Sequence, residues 1–320
     1  MDIHIEVPDH SGELQPVRQI NYNEPAVTLG VALRVDGDNS GVVAHLEDKT
    51  RDWADQMKSA FLYRFEATLS IMTTISRTWS YPLQVTTMAW EECESIMVIA
   101  YDVILSKMGI NKKISRIFRF APTSIGGLGL PHLYIMQGIA HILAIFNHCN
   151  RDTQIGHMIT AQLELACIEV GTEQHIFELP FHSYSALLTH CWIRSTWEFI
   201  DKYKISLIGE YNRPGPQREG DEFLMERLIG RYKDLFAPRE IRSINKCRLY
   251  LQVLTLADIY ECNGKDVCKK AYTGIRHSDR TSKFKWPYQV RPTTADWRYW
   301  KKTCTWVHGR KINIKNLSGL

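Results

Sequence analysis

The sequence lacks the compact motifs that usually carry phosphate, metal or nucleophile chemistry. It contains no Gly-x-x-x-x-Gly-Lys-Ser/Thr phosphate loop, no His-Glu-x-x-His zinc helix and no Gly-x-Ser-x-Gly nucleophile turn. Its eight cysteines never form a Cys-x-x-Cys pair, which argues against a zinc ribbon and against a disulfide framework. We therefore predict no self-contained active site, no bound metal and mostly reduced thiols. Cys262 and Cys268 would not face each other across a hairpin at Asn263-Gly264, so we predict no disulfide between them.

Long apolar runs are also absent. No stretch approaches the roughly 20 residues needed to span a bilayer. The first residues, with Asp2, His4 and Glu6, lack the basic start and apolar centre of a secretory signal. The composition, 44% hydrophobic and 23% charged, is that of an ordinary globular protein with material for two or three cores. We expect an intracellular protein, in the nucleus or cytoplasm, that does not bind a membrane.

Charge is distributed unevenly along the chain. Residues 1–100 hold 7 Lys and Arg against 15 Asp and Glu, a net charge of −8, whereas residues 262–320 hold 14 against 3, a net charge of +11. A basic segment of this density suits a polyanionic partner. The alternative, a solvated charged surface, stays open for each lysine in it.

The first forty residues favour extended structure. Apolar and polar residues alternate from Ile3 to Val7, and residues 27–35 form a strand-like run that ends at Asp36-Gly37, a dipeptide favoured in tight hairpins. Residues 1–40 are therefore predicted to form a small β-hairpin region. An ordinary edge hairpin without a binding role is the simpler interpretation.

Three helices are predicted next. Apolar residues recur at spacings of three and four between Val42 and Leu62, and again over residues 64–80. A third helix is predicted from Thr87, acting as N-cap, to Gly109, because acidic residues in its first turn favour the helix dipole. Short connections join the three, so the sequence predicts an antiparallel bundle over residues 41–120.

A glycine-rich turn follows the bundle. Gly126, Gly127 and Gly129 fall within four residues and are followed by Pro131, a combination that excludes a helix interior. Leucines stand between and after these glycines, and a solvated linker would rarely place apolar side chains there. We predict a fixed structural turn that packs against the fold.

The remainder of the chain is predicted to be mostly helical. Helices are expected over residues 132–148, over residues 153–170, from near Ser183 through Ile200, and after Pro238. A linker rich in proline, glycine and charge separates the last two, at residues 210–220. The histidines of the 132–148 helix are too far apart for one metal, since seven helical residues span roughly 10 Å, so we assign them to packing or to the surface. They are His132, His141 and His148.

The C-terminal region combines a hairpin signal with an amphipathic helix. Asn263-Gly264 predicts a second hairpin, and the last helix is predicted to begin with Thr293 and Asp296 in capping spacing. Its apolar face carries two tryptophans, which favour a core position, with base stacking beside a cationic rim as the alternative. The predicted fold class is mainly α, with a small N-terminal β-hairpin region, a three-helix bundle and further helical segments.

The glycine turn resembles the segment that follows the thumb in reverse transcriptases of non-LTR retroelements, particularly those abundant in microalgal genomes. Its residues 126–133 read Gly-Gly-Leu-Gly-Leu-Pro-His-Leu. The chain order of hairpin, three helices and turn is similar to that family, in which the thumb directly follows a primer-supporting hairpin. Two later stretches resemble its far C-terminal region: Lys246 to Asp258, and Trp286-Pro287 with Trp297 and Trp300. The resemblance covers most of the chain from about Ala26 onward.

The resemblance implies four segments and a nucleic-acid partner. The segments would be a palm-end, primer-grip-like hairpin (1–40), a thumb-like helical bundle (41–120), a post-thumb helical region (121–209) and a basic, mostly helical region (221–320). Leu29 and Gly30 match the position that supports the primer end, and Gly30 has no side chain to block a nucleic-acid backbone. The partner would be the duplex of RNA template and DNA primer.

Basic clusters would then contact the phosphates of that duplex. One cluster precedes the glycine turn, where Arg116 and Arg119 stand three residues apart and so share one side of a helix. Solvation alone is the alternative interpretation of these cations. The predicted nucleic-acid-binding cations are Lys112, Lys113, Arg116, Arg119, Lys265, Lys269, Lys270, Lys283 and Lys285.

Catalytic carboxylates of a polymerase are missing from this sequence. Polymerase chemistry needs paired carboxylates that hold two divalent ions about 4 Å apart, and in this family one pair is a consecutive Asp-Asp on a palm hairpin. The chain has no Asp-Asp, and Asp36-Gly37-Asp38 falls after the position where the palm would end. Catalytic Mg²⁺ would belong to a separate palm-containing segment, and we expect no cofactor here. The alternative function is a catalytically inert helical protein-interaction module derived from a retroelement.

Overall fold

The computed structural model describes residues 6–8, 10–16, 20–21, 24–28, 30–34, 36–149, 151–207, 215–216, 218–231, 235–276, 286–287 and 290–308. The fold is mainly α, with two small antiparallel hairpins near the N-terminus, as predicted. The chain divides into two compact units, Met1–Ala140 and His141–Leu320. None of the described helices is long and apolar enough to cross a membrane.

The first unit begins with two hairpins. Strand β1 (Glu6–Pro8) pairs with β2 (Leu14–Pro16), and β3 (Ala26–Thr28) pairs with β4 (Val31–Leu33). The continuous strand predicted over residues 27–35 is therefore wrong, because the chain reverses between Thr28 and Val31. Gly30 makes this reversal possible, since its φ of +81° lies in the left-handed region that side chains rarely adopt.

Asp36-Gly37 forms a separate turn after the second hairpin. The amide of Gly37 donates to the carbonyl of Arg34 at 3.1 Å, and the Arg34 guanidinium binds the carboxylates of Asp36 and Asp38. The turn leads directly into the first helix. It therefore connects the hairpin to the bundle.

The helical bundle has the three members that the sequence predicts. They are α1 (Ser40–Ser59), a second helix in which α2 (Arg64–Ser70) continues through a π-helical turn (Ile71–Ile75) into α3 (Ser76–Ser80), and α4 (Trp90–Lys107).

Hydrogen bonds between the helices fix their directions. Trp79 Nε1 donates to Thr50 Oγ1 at 2.9 Å, and Trp53 Nε1 donates to Ser70 Oγ at 3.2 Å, so α2 and α3 run antiparallel to α1. Lys107, at the end of α4, donates from Nζ to a carbonyl just past the end of α1, so α1 and α4 end together. The three helices run up, down and up.

The predicted N-cap of α4 is wrong. The helix begins three residues after Thr87, with Ala89 at the N-cap position and Glu92 Oε2 accepting a 2.7 Å hydrogen bond from the Ala89 amide. Thr87 is held by Asn39 instead, whose amide side chain donates to Thr87 Oγ1 at 3.2 Å and accepts from its backbone N–H at 3.3 Å. Thr87 therefore binds Asn39, 48 residues away in sequence, and does not cap α4.

Helix α5 (Arg116–Phe120) and the glycine turn follow the bundle, and α6 (Leu133–His148) contains the boundary between the units. The second unit contains α7 (Gln154–Val170), α8 (Phe181–Tyr184), α9 (Trp192–Tyr203), α10 (Leu224–Glu226) with a π-helical turn (Arg227–Arg231), α11 (Pro238–Leu251), α12 (Lys269–Thr273) and α13 (Thr294–His308).

The single helix predicted from near Ser183 through Ile200 is wrong. The chain forms α8, a 3₁₀ turn at Ser185–Leu187, and then α9. Between them the amide of Thr189 donates to Glu169 Oε2 on α7 at 3.1 Å. A hydrogen bond to another helix therefore interrupts a segment that the local sequence pattern predicts to be one continuous helix.

One hydrophobic core joins both sides of the predicted 210–220 linker. Trp197 before it, and Leu224 and Trp300 after it, are fully buried in the same cluster. The described residues on the two sides therefore belong to one unit, and the division of the chain lies within α6. Part of the linker, residues 210–214 and 217, lies outside the described residues.

The tryptophans of α13 occupy the positions that the core interpretation predicts. Trp300 is fully buried and donates from Nε1 to the carbonyl of Ala271 at 2.8 Å. Trp297 packs over Gly274, where an added Cβ would lie 2.9 Å from the indole ring. The stripe therefore packs α12 against α13.

The structure also shows the predicted reversal at Asn263-Gly264, the state of the cysteines and the surroundings of His141. The chain reverses at Asn263-Gly264, where the Glu261 amide donates to the Asp266 carbonyl at 2.7 Å, and all eight cysteines are free thiols. His141 is buried, stacks on a tryptophan ring and contacts Thr196 Oγ1 at 3.1 Å, so its role is packing.

A fully buried guanidinium joins the ends of two helices in the second unit. Arg248 on α11 donates from Nη2 to the last-turn carbonyls Ile168 and Glu169 of α7, both at 2.8 Å. It donates from Nη1 to the Val253 carbonyl at 3.1 Å and from Nε to Asn245 Oδ1 at 2.9 Å. Burial lowers the pKa of Arg248 to about 9, so the group stays cationic at neutral pH and compensates the negative end of α7.

Replacing this guanidinium should destabilise the protein strongly. Arg248→Met keeps the apolar stem but leaves several buried carbonyls without a donor, and we expect the free energy of unfolding to fall by about 3 kcal/mol or more. Urea unfolding followed by circular dichroism measures this. The matched control is Arg239→Met on the exposed side of α11, which should change stability by less than about 0.5 kcal/mol. Equal effects of the two substitutions would contradict the assigned role.

The capping carboxylate of α13 should give the protein a specific acid sensitivity. Burial pushes the pKa of Asp296 upward, but hydrogen bonds from the Thr293 amide and from Ser243, Thr293 and Lys246 outweigh it and lower the pKa to about 2. A pKa below the unfolded value means that the stabilisation is complete above about pH 4 and is lost as pH falls toward 2. Asp296→Asn should therefore cost about 1 kcal/mol at pH 7 and clearly less at pH 2, where the carboxyl is about half protonated in the folded protein.

Urea unfolding at pH 7, 4 and 2 tests the cap. Glu198→Gln, on an exposed position of α9, is the control and should leave stability unchanged at each pH. A difference between wild type and Asp296→Asn that does not vary with pH would show that charge at the cap is irrelevant.

Candidate nucleic-acid interface

The tip of the second hairpin lies beside the helical bundle. Gly30 forms this tip, and a Cβ built on it would lie 3.8 Å from the Tyr81 ring. Farther along, a Cβ on Gly41 would lie 3.0 Å from Pro25, so the hairpin also packs closely against the start of α1. Leu29, the other residue predicted at the tip, lies outside the described residues.

A cleft of about 200 Å³ opens between this hairpin tip, α1 and the end of α3. Its polar lining comes from His45, Lys49, Thr78 and Tyr81, with Gly30 at one edge. His45 and Lys49 stand four residues apart on α1, so both side chains lie on the same face of that helix. Apolar side chains, among them Val42 and Leu46, complete the lining.

Arg116, predicted as a phosphate contact, is engaged within the first unit. Its guanidinium makes a two-pronged ion pair with the carboxylate of Glu94. It also lies over the ring of Trp90, 5.3 Å from the centroid. A bidentate ion pair beside an aromatic face is a strong arrangement for arginine, and it connects α5 to α4.

Arg119 is likewise held by the fold, whereas Lys112 and Lys113 are exposed. The Arg119 guanidinium donates from Nη2 to the carbonyl of Lys112 at 3.0 Å and lies 5.6 Å from the centroid of the Tyr101 ring. The ammonium groups of both lysines have no ion pair among the described residues. Of the predicted cluster before the glycine turn, these two lysines are the cations most accessible to a phosphate.

The glycine turn is packed in place, as predicted. The amide of Leu128 donates to the Phe118 carbonyl at 2.8 Å, and that of Gly129 donates to the Ala121 carbonyl at 2.8 Å. Gly126 and Gly129 have positive φ values of +85° and +63°, and a Cβ on Gly127 would overlap the carbonyl oxygen of Ala121. Each glycine therefore has a structural reason, and Leu130, just beyond them, is buried.

A side chain at the tightest glycine should disrupt this turn. Gly127→Ala forces the new methyl group into backbone, which cannot move aside as a flexible side chain can, and we expect a loss of about 1–3 kcal/mol in unfolding free energy. Thermal unfolding measures it. Gly230→Ala is the control, because its Cβ would meet nothing within 4 Å. Wild-type stability in Gly127→Ala would mean that the turn is loosely packed.

Six exposed basic side chains of the second unit lie on α12, on the segments to either side of it and on α13, and we call this set the basic face. Its core is α12 with Lys269 and Lys270, held on α13 by the Trp300 hydrogen bond, and its cations have no ion pair among the described residues. Lys283 and Lys285, also predicted here, lie outside the described residues. The basic face comprises Lys265, Lys269, Lys270, Arg276, Arg298 and Lys301.

Three cations of the basic face were not among the predicted binding residues. Arg298 and Lys301 follow from helical periodicity, because a buried Trp300 face places their side chains toward solvent. His45 and Lys49 of the cleft were missed for another reason, since only the folded hairpin shows which side of α1 it borders. For Arg276, the only indication in the sequence is its place in the basic segment of residues 262–320.

Buried thiols offer no reactive nucleophile in the described residues. Burial raises the pKa of Cys93 and of Cys304 to about 12, and burial also raises that of Cys247. Such thiols stay protonated at neutral pH. No group of three or more His, Cys, Asp or Glu side chains within the described ranges could hold a metal ion.

No protein-family model, no curated protein and no solved structure matches this chain.

Proposed function

We propose that this chain is the nucleic-acid-holding, C-terminal portion of a reverse transcriptase of the non-LTR type, without the catalytic carboxylates of the palm. In this proposal it grips an RNA template and its DNA primer and works with a separate palm-containing segment that carries Mg²⁺. The family assignment rests on the resemblance of the glycine turn and on the order of hairpin, bundle and turn. Nucleic-acid binding rests on the surface charges.

The observation that carries the binding proposal is the unpaired state of the basic face. Six exposed cations there have no acidic partner among the described residues. Other cations of the chain do pair with acids: Arg51 with Glu47 at 2.9 Å, and Arg116 with Glu94. Cations that the fold leaves unneutralised bind phosphates by releasing counterions from the nucleic acid.

The cleft at Gly30 would serve a second contact of the same kind. Lys49 is exposed at the cleft and has no ion pair among the described residues, and Gly30 presents bare backbone at the hairpin tip. A phosphodiester lying there would meet the ammonium group of Lys49 beside the backbone of Gly30. Lys112 and Lys113, at the end of the bundle, add two further cations.

Binding of an RNA/DNA hybrid by the full chain tests the proposal. We expect affinity to fall steeply between 50 and 200 mM salt, because phosphate contacts dominate. Lys269→Glu with Lys270→Glu should weaken binding by about tenfold or more and should reduce the slope of log K against log salt by about two. Fluorescence anisotropy with a labelled 20-base-pair hybrid gives both quantities.

The matched control carries the same charge change elsewhere. Lys202→Glu with Lys204→Glu, at the exposed end of α9, should leave the salt slope within about 0.5 of the wild-type value. Hybrid affinity that is indifferent to salt, or equal losses in the two double variants, would contradict the proposal.

The alternative is a catalytically inert protein-interaction module. One observation favours it: Phe146 on α6 and Ile155 and Met158 on α7 are exposed apolar side chains of the second unit. The same binding experiment separates the two functions. A chain that binds no hybrid at 50 mM salt, but self-associates less when Phe146 and Met158 are both changed to serine, would favour the module.

A further inference from the structure

Three aromatic side chains are exposed within five residues at the connection between α1 and α2. The exposed fractions are 89% for Phe61, 70% for Tyr63 and 75% for Phe65. In the same unit the indole rings of Trp53 and Trp79 are buried. Large rings left in water at this density are unusual for a folded domain and indicate a binding surface.

The backbone that carries these rings is fixed. The Ala60 amide donates to the Gln56 carbonyl at 3.0 Å, which ends α1, and the Tyr63 amide donates to Glu66 Oε2 at 2.8 Å, which caps α2. Phe61 and Tyr63 also contact each other edge to face, with centroids 6.0 Å apart. The rings are therefore presented by an ordered segment.

Cations also lie at this end of the bundle. Arg64 lies between two of the rings in sequence. Lys107 at the end of α4 donates to the carbonyls of Lys58 and Ala60, so the loop after α4, with Lys112 and Lys113, emerges at the same end. Arg64 and these two lysines are exposed and have no ion pair among the described residues.

Two acidic side chains of this segment have partners: Glu66 accepts the capping hydrogen bond from Tyr63 but keeps its charge, and Asp55 pairs with Lys58 at 2.7 Å. The cations named at this end, Lys58, Arg64, Lys107, Lys112 and Lys113, outnumber these two acids. Exposed rings with a cationic rim are complementary to a polyanion whose own flat rings are accessible.

We propose that this end of the bundle binds single-stranded nucleic acid. Bases would stack on Phe61, Tyr63 and Phe65, while Arg64, Lys112 and Lys113 contact the flanking phosphates. A duplex cannot use the rings, because its base faces are covered by neighbouring base pairs, whereas unpaired bases can stack on aromatic side chains. The inference deepens the proposed nucleic-acid function by adding a second, strand-selective site.

A base-stacking probe tests the inference with the full chain. A 12-nucleotide single-stranded RNA containing 2-aminopurine should lose fluorescence on binding, because stacking on a ring quenches that base. Phe61→Ser with Phe65→Ser should weaken binding of this RNA by about tenfold or more and strongly reduce the quenching, since only the Tyr63 ring remains. Phe61→Trp with Phe65→Trp should retain both. Phe146→Ser, which removes an equally exposed ring from the second unit, is the control and should change neither.

The outcomes separate this inference from the proposed function. Circular dichroism should show that the serine variants are folded, since the replaced rings are exposed. The inference is overturned if the RNA binds without quenching, if Phe61→Ser with Phe65→Ser binds it like wild type, or if the rings capture a peptide and no RNA. If the double variant Lys269→Glu, Lys270→Glu loses hybrid binding but still quenches the RNA probe, the result supports both the proposed function and this inference. Quenching without any hybrid binding by wild type overturns the proposed function alone.

Discussion

A cation buried against backbone carbonyls organises the second unit. Among the described residues, Arg248 has no carboxylate partner at hydrogen-bond distance, and its donors go to the carbonyls that end α7, to Val253 and to Asn245. A helix leaves its last four carbonyls without intrahelical partners, and a guanidinium with five donors satisfies several at once. Gly171 allows the close approach, since a Cβ there would lie 2.9 Å from the Arg248 Cζ atom. With α11 fixed in this way, α13 packs against it and carries α12.

In the first unit, too, cationic side chains donate hydrogen bonds to backbone carbonyls. Lys107 donates to the carbonyls of Lys58 and Ala60 at the end of α1, and Arg119 donates to the carbonyl of Lys112. Cations used in this way hold neighbouring segments together and are less free to attract a ligand. Counting Lys and Arg along the sequence therefore overstates the charge available for binding, and the contrast between engaged and unpaired cations identifies the surfaces that can still bind anions.

Periodicity predicted most helices because their burial follows one face, whereas the errors arose where a distant residue decided the local structure. Asn39 takes Thr87 away from the cap of α4, and Glu169 interrupts the helix before α9 by binding the Thr189 amide. Arg248 had a sequence signal, since it falls on the buried face of α11 with Ile244 and Leu251. The sequence could predict which basic residues are candidates for phosphate binding, but it could not predict which of them form ion pairs within the fold. No local pattern indicates that Arg116 finds Glu94, 22 positions away.

The π-helical turn at Ile71–Ile75 has a consequence for the rotational phase of the second bundle helix. A regular α-helix turns by about 100° per residue, so one additional residue in a wide turn shifts everything after it by that angle relative to everything before it. Phe65, whose ring is exposed, lies before the π-helical turn in sequence, and Trp79, whose indole donates to Thr50, lies after it. The wide turn absorbs one residue, so deleting a residue there would restore a regular helix and keep the two surfaces aligned, whereas closing the turn without a deletion would rotate one surface by about 100° relative to the other.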